Sequence, residues 1–445
     1  MSNKKYVLDS SVLLFSPYAL NVFDDSEVLI PACVLRRMDE IACGGGEDRL
    51  AAIAFGREMD KLLSKPCKTT ELDNGGILKV VGSPDKDIYD VASEHSAVIV
   101  TRDPLMRVIA RTKNIEAQPF RYEQGDLTGN SYTGRCSLYI TSEEMDRYAK
   151  EKRLVLDPNR DYYATDMEGE TLSDSYRLTP NEYVILQVSD STGQTMLGRF
   201  DGQAIVPLQD YRHIWGANPL NAGQRFALDA LMNKSIPLVI LRGPAGTAKT
   251  FLSLAAAMEQ TLERGEYKRI LLTRPNTKMD SDIGFLKGSE QDKVLPIIRG
   301  MLDNIENLSA DRKSAASGDY VDGLLADKVI EPQAMAYMRG RSIANQFIIA
   351  DEMQNSTPTQ SLSIITRIGF GSKIALCGDI QQIDSPYMDE HNNGLSFAAA
   401  RMKGSPLCAQ IEFLERESTR SDLAREAITR MGQHGSAKGG VFDEG

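Results

Sequence analysis

The segment GPAGTAKT has the form of a phosphate-binding loop, G-x-x-x-x-G-K-[ST], with Ala248 in the place of the last glycine. In such a loop, backbone N–H groups and the start of the following helix face phosphate oxygens. Lys249 would reach the β- and γ-phosphates, and Thr250 would hold Mg2+. Gly243, Pro244, Ala245, Gly246, Thr247, Ala248, Lys249 and Thr250 are therefore candidates for binding ATP. The same chemistry needs an acid at the end of a second buried strand. FIIADEM supplies Asp351, with Glu352 beside it as a base that positions water. IALCGDIQQID adds Asp379 and Gln382, polar groups that can sense a γ-phosphate. Ala248 needs only tolerable backbone angles and no clash with phosphate, because glycine is obligatory only at positive φ or closest approach. The loop is expected to work.

A second constellation lies near the N-terminus. YVLDSSVLL puts Asp9 at a strand end, SPDKDIYDVA puts Asp85 and Asp87 at a helix start, and VIVTRDP puts Asp103 at another strand end. Each alone is more often a helix cap or a turn residue. Together they can converge, and gathered carboxylates repel unless a divalent ion neutralises them. Mg2+ or Mn2+ held that way can activate water for phosphodiester cleavage.

The elements that must position these residues are legible as alternating runs. KKYVLD, EVLIP, ILKVVG and AVIVTRD read as strands, with LRRMDEIA, AAIAFGREMDKLL, DIYDVASEH and PLMRVIARTK as helices between them. That alternation implies an α/β unit with a parallel sheet. Residues 121–215 change character: NEYVILQVSD and TMLGRFDGQAIVPL read as a hairpin and a further strand, in a small, mostly β connector to which no chemistry is assigned. From residue 216 the βα pattern returns. PLVILRGP, KRILLTRP, QFIIADE and KIALCGD end in glycine, proline or acids, as strands do when their C-terminal ends line a ligand crevice. PLVIL precedes the phosphate loop and FLSLAAAMEQTLERG follows it with helical spacing, which is the context the motif demands.

Composition sets the limits. A chain of 445 residues accommodates two or three cores. No apolar run approaches the roughly 20 residues that span a bilayer. Asp9 interrupts the N-terminal apolar stretch and no small-residue cleavage site follows it, so no signal peptide and no membrane partner are expected. Cys33, Cys43, Cys67, Cys136, Cys377 and Cys408 form no CxxC pair and read as reduced thiols of a cytoplasmic protein. The net charge of −11 argues against a surface that is basic throughout. Residues 157–210 carry ten acids and three arginines, −7 of that total, so the flanking regions hold only −4 between them and leave room for a local basic path.

The C-terminal motifs occur in an order that resembles the PhoH family of ATPases, which is related to superfamily 1 helicases. NAGQRFALDAL resembles the adenine-reading motif, with Gln224. LLTRPNTKMDSDIGFLKG resembles the family's TRP and GFLPG stretches, with Lys287 in place of the usual proline. MRGRSIANQFIIADEMQNSTPTQ and CGDIQQID match closely, and LERESTRSDL aligns Arg420 with the family's arginine. Some ring-forming ATPases likewise carry alanine before the loop lysine. About 60 residues follow Asp384, too few for a second ATPase domain. An arginine serving the transition state must therefore be Arg420 folding back or come from a neighbouring subunit. The resemblance implies a homo-oligomer, a hexameric ring.

Residues 4–120 resemble a PIN nuclease domain. Asp9, Asp85 and Asp103 match its aspartates and Ser11 its small polar residue. Arg37 stands where that family carries glutamate. Glu40, about 60° away round the helix, is a better substitute than Asp39, about 160° away. The two resemblances imply a fold of three parts: a PIN-like parallel-sheet domain over 1–122, an acidic β connector over 123–215, and a RecA-like P-loop ATPase domain over 216–434. A loose, Gly-rich tail covers 435–445. They imply an RNA-acting enzyme using ATP and Mg2+ or Mn2+, which unwinds or remodels RNA and cuts it. The alternative is a remodelling ATPase whose PIN domain only binds RNA, because of Arg37. A nucleotide-responsive scaffold without turnover is opposed by Glu352 and Arg420. Arg339, Arg341, Lys278 and Lys287 are candidate phosphate contacts for RNA. The sequence leaves open the RNA preference and any antitoxin partner.

Overall fold

In a computed structural model the chain divides into two compact units, Met1–Asn130 and Ser131–Gly445. The described residues are all except 1–3, 16, 24, 45–47, 64–68, 73–74, 121–131, 173–175, 189–192, 212, 276–294, 297, 310–318, 339–341, 385–387, 391–392, 420–422, 424–425 and 427–445. Among them no helix is long and apolar enough to cross a membrane.

The first unit is α/β. Its strands are β1 (Lys5–Leu8), β2 (Glu27–Pro31), β3 (Thr69–Glu71), β4 (Ile77–Val81), β5 (Val98–Thr101) and β6 (Ala117–Pro119), in the order β3-β4-β2-β1-β5-β6. All pairs are parallel except β3 with β4. Parallel neighbours need crossovers, which are helices α1 (Ser10–Phe15), α2 (Ala32–Cys43), α3 (Arg49–Leu62), α4 (Ile88–His95) and α5 (Pro104–Thr112). The central strands are buried and read as continuous apolar runs. The edge strands β3 and β6, TTE and AQP, lack that signal and are additions to the sequence reading.

The second unit holds two sheets. The smaller comprises β7 (Arg135–Ile140), β8 (Ala164–Thr165), β9 (Tyr183–Val188), β10 (Thr195–Phe200) and β11 (Ile205–Pro207), in the order β11-β10-β9-β7-β8. The β9–β10 hairpin is as expected. β7 and the helix after it, α6 (Ser142–Glu151), are new. Thr141 and Glu144 form a reciprocal capping box at the start of α6.

The larger sheet comprises β12 (Leu238–Arg242), β13 (Arg269–Thr273), β14 (Ile330–Pro332), β15 (Gln346–Ala350), β16 (Lys373–Gly378) and β17 (Cys408–Glu412). Its order is β14-β13-β15-β16-β12-β17 and every pair is parallel. Helix α7 (Ala222–Met232) and helix α8 (Lys249–Met258) pack on the sheet through an apolar core that includes Phe226, Leu252, Ile349 and Ile411. A parallel sheet brings all strand C-termini to one edge, and the phosphate loop, Asp351 and Asp379 all follow strands at that edge.

Candidate functional site

The loop Gly243–Ala248 leaves β12 and opens α8. Gly243 has φ +138°, and a Cβ there would lie 2.7 Å from the Phe413 carbonyl oxygen, so only glycine fits. Ala248 sits at φ +70°, ψ +21°, in the left-handed region. The expectation that it meets only tolerable backbone angles is corrected: the loop holds it at positive φ, where glycine is favoured, at a cost of about 1–2 kcal/mol for a residue with a Cβ.

Lys249 lies at the first position of α8 and is buried. Its Nζ donates to the carbonyl oxygens of Gly243 at 2.7 Å and Pro244 at 2.8 Å. Burial lowers its pKa, against the opposing pull of Asp379, Cys377, Asp351 and Glu352. Thr247 donates to the Pro244 oxygen at 2.8 Å. Beside Lys249, the Thr250 hydroxyl donates to the Asp351 carboxylate at 2.8 Å. Burial and then the neighbouring Glu352 push Asp351 up to about 6. A hydroxyl and a carboxylate side by side are the oxygen donors that suit Mg2+, so these residues fit that ion.

Asp379 follows β16 and is buried; its Oδ2 accepts from the Ala245 N–H at 2.9 Å. Glu352 takes a left-handed conformation, φ +53°. Gln354, absent from the sequence reading, joins these acids. Its Nε2 donates to Glu352 at 2.5 Å and to the Gln382 oxygen at 2.9 Å, while its Oε1 accepts from the Asp379 N–H at 3.1 Å. Gln382 is exposed and enters this network through its backbone. Asn355 and Asp384 add a two-bond tie between the loops after β15 and β16. The hint in the sequence was a polar run, QNST, one residue after two acids, with three of its four residues buried in the fold.

Gln224 is buried in the first turn of α7. Its N–H is capped by Asn221 at 2.9 Å, and its Oε1 accepts from Leu220 at 2.8 Å. Arg420, Lys278, Lys287, Arg339 and Arg341 lie outside the described residues.

In the first unit, Asp9 accepts from the N–H groups of Ser10 at 2.6 Å and Ser11 at 3.2 Å, and from Thr101 Oγ1 at 3.0 Å. Asp9, Asp85 and Asp87 line one pocket of about 330 Å³ with Cys33, Arg36 and Arg37. Asp103 is outside that lining and caps α5, accepting from Leu105 N–H at 2.8 Å. Tyr89 lies near these acids: burial, then Asp87, Asp103 and Asp9, raise its pKa. Cations meet the other carboxylates. Arg36 pairs with Asp85 at 3.2 Å, Lys113 with Asp87 at 3.6 Å, and Arg37 with Glu40 at 3.3 Å. Among the described residues, no three His, Cys, Asp or Glu side chains are grouped to hold a metal ion. Arg36 and Asp85 are both largely exposed, so this is a surface pair that a divalent ion at Asp9, Asp85 and Asp87 would have to displace.

Strand order, phosphate loop and facing acids define a P-loop ATPase unit joined in one chain to a second α/β unit with an acid-lined pocket. The family models agree in place: residues 217–431 match the PhoH-like protein family and residues 6–121 the PIN domain family. The chain is similar to Protein PhoH2 of Bacillus subtilis (strain 168), 33% identical over 96% of this chain and 99% of that protein. It is 27% identical to Protein PhoH2 of Mycolicibacterium smegmatis over 96% of each chain. A PhoH-like protein of Bacillus subtilis is 36% identical over 46% of this chain and 61% of its own length. The chain belongs to the PhoH2 family.

Proposed function

We propose that the protein hydrolyses ATP to unwind or remodel RNA. The observation that carries the ATPase half is the line of groups Lys249, Thr250, Asp351, Glu352 and Gln354 at one edge of a parallel sheet. Lys249, released from the loop carbonyls, would meet phosphate oxygens, and Thr250 with Asp351 would hold Mg2+, which would neutralise phosphate charge when bound. Glu352, turned by Gln354, takes a proton from the attacking water. Asp379 fixes the loop through Ala245. Gln224 reads the base, as the resemblance to PhoH ATPases implies. Arg420, in its own chain or in trans within a hexameric ring, serves the transition-state charge. RNA as the substrate polymer follows from the same resemblance, and a cytoplasmic site of action from the unpaired cysteines.

For the PIN unit, the Arg36–Asp85 pair favours a role in binding RNA. A second reading, cleavage of RNA with Mg2+ or Mn2+, is favoured by Asp9, Asp85 and Asp87 sharing one pocket. End-labelled single-stranded RNA, incubated with ATP and either ion, separates them. The binding reading expects intact RNA and continuing ATP turnover. Cleavage by the parent that is lost in Asp9→Asn would establish the second reading, and a further loss in Lys249→Ala would couple it to ATP.

A further inference from the structure

The small sheet carries no reacting group, yet its side chains end at the nucleotide site. Arg135 starts β7, and its side chain is fully buried. It makes a two-pronged ion pair with Glu417, Nη1 to Oε1 at 2.8 Å and Nη2 to Oε2 at 2.5 Å. The same carboxylate accepts the N–H groups of Gly223 at 3.2 Å and Leu414 at 2.9 Å, and the Glu417 carbonyl accepts from Asn221 Nδ2 at 3.3 Å. Asn221 and Gly223 begin the helix that carries Gln224. A Cβ on Gly223 would lie 2.8 Å from both Arg135 Nη1 and Glu417 Oε1, so the helix start is shaped to the pair.

The two residues after Glu417 reach the phosphate loop. Ser418 Oγ donates to the Ala245 carbonyl at 3.4 Å, and Thr419 donates to the Gly246 carbonyl through N–H at 2.9 Å and Oγ1 at 3.0 Å. In a planar trans peptide the C=O and the next N–H point in opposite directions. Holding the carbonyls of Ala245 and Gly246 on this side therefore aims the N–H groups of Gly246 and Thr247 to the other. A second grip acts further along α7, where Asp229 accepts from Tyr183 Oη at 3.0 Å and Gln209 N–H at 3.2 Å and lies 3.4 Å from Arg199 Nε.

We infer that Arg135 and Glu417 are positioning residues for nucleotide binding: their pair sets the start of the Gln224 helix and, through Ser418 and Thr419, the aim of the phosphate loop. A buried ion pair is weak evidence for stability in itself, because desolvation offsets its attraction; the pair supplies geometry. Neither residue contacts the reacting groups Thr250, Asp351 or Glu352, so their loss should weaken binding of the ground state and the transition state alike.

The inference rests on the P-loop being an ATPase site. The test is steady-state ATP hydrolysis by the full chain, with a fluorescent ATP analogue for direct binding. Lys249→Ala is the control for the site. Glu417→Ala is expected to raise KM and the analogue's Kd about tenfold with kcat within about threefold, and Glu417→Gln to fall between it and the parent. Thr419→Pro guards against a folding defect. Thr419 is exposed, and Ser418 already has the extended backbone, φ −68° and ψ 131°, that a residue before proline requires. The change removes both the N–H and the hydroxyl that hold the Gly246 carbonyl and is expected to raise KM about fivefold; KM is the readout, since Arg420 follows directly and can move kcat on its own account. Unchanged KM in folded Glu417→Ala, or in Thr419→Pro should the first not fold, overturns the inference. A fall confined to kcat overturns it too. Absence of ATP turnover by the parent, or equal turnover in Lys249→Ala, overturns the site reading itself.

Discussion

Gln354 Nε2 donates to the Glu352 carboxylate at 2.5 Å, and the same amide accepts from Asp379 on the neighbouring strand's loop. One buried amide thus fixes the orientation of the candidate base relative to the group that holds Ala245. Replacing Gln354 with alanine is expected to lower kcat for ATP about tenfold with a small change in KM, because orientation is lost while phosphate contacts remain. Glu352→Gln should lower it further, by about a hundredfold or more. Steady-state kinetics on the two variants check this; equal KM and kcat in Gln354→Ala and parent would show that the amide orients nothing.

Ala248→Gly should stabilise the protein. At φ +70° the substitution removes left-handed strain, which outweighs the entropy that glycine adds to the unfolded chain, for a net gain of about 0.5–1 kcal/mol. Thermal unfolding without nucleotide should move up by about 1–3 °C. A lower melting temperature would mean that the methyl group packs better than the backbone suffers.

Acid should destabilise the second unit through two carboxylates held below their ordinary range. Burial alone would raise Glu144, but Thr141, Tyr162 and Arg160 outweigh it; burial alone would raise Glu417, but Arg135, Leu414 and Gly223 outweigh it. Groups with depressed folded pKa values contribute stability that is complete above the unfolded pKa and lost as pH falls through the folded one. Glu182, Asp229 and Asp351, raised by burial, act in the opposite sense and are common to parent and variant, so the difference is the readout: between about pH 7 and about pH 3.5 the urea midpoint of Glu144→Gln should lose less than the parent's, because it has no such charge to lose. Parallel slopes for parent and variant would contradict this.

In the first unit, removing the cations should create affinity for metal. Arg36→Glu with Arg37→Glu frees Asp85 and adds carboxylates to a pocket already lined by Asp9 and Asp87. Calorimetric titration with Mn2+, on a Lys249→Ala, Asp351→Asn background that removes the ATPase ligands, should show binding at least about tenfold tighter than with both arginines present. Tight binding with both arginines in place would show that they do not exclude the ion.

Much of the frame was legible because it is local. Apolar runs ending in glycine or acids located β12, β15 and β16, and helical spacing after the loop located α8. Short polar strands such as β3 and β6 were not legible, since three residues carry no period. The capping box Thr141–Glu144 carries the S/T-x-x-E spacing that marks a helix start, and it opens α6. The network around the site was hidden for a different reason. Arg135 and Glu417 are 282 positions apart, and nothing in either neighbourhood announces the other. Ala248 shows the same limit at short range: its residue type is visible, while its left-handed backbone is imposed by the turn it completes. At the acid-lined pocket, spacing pointed to Asp9, Asp85, Asp87 and Asp103; the first three line the pocket, while Asp103 caps α5 and its N–H meets the Thr101 hydroxyl that also bonds Asp9.

The central claim is that ATP turnover at the loop of Lys249 is put to work on RNA. The most direct measurement is the steady-state rate of phosphate release by the full chain, with and without single-stranded RNA, in the parent, Lys249→Ala and Glu352→Gln. RNA should stimulate hydrolysis in the parent, and both substitutions should abolish it. Hydrolysis indifferent to RNA, or surviving in Lys249→Ala, would contradict it.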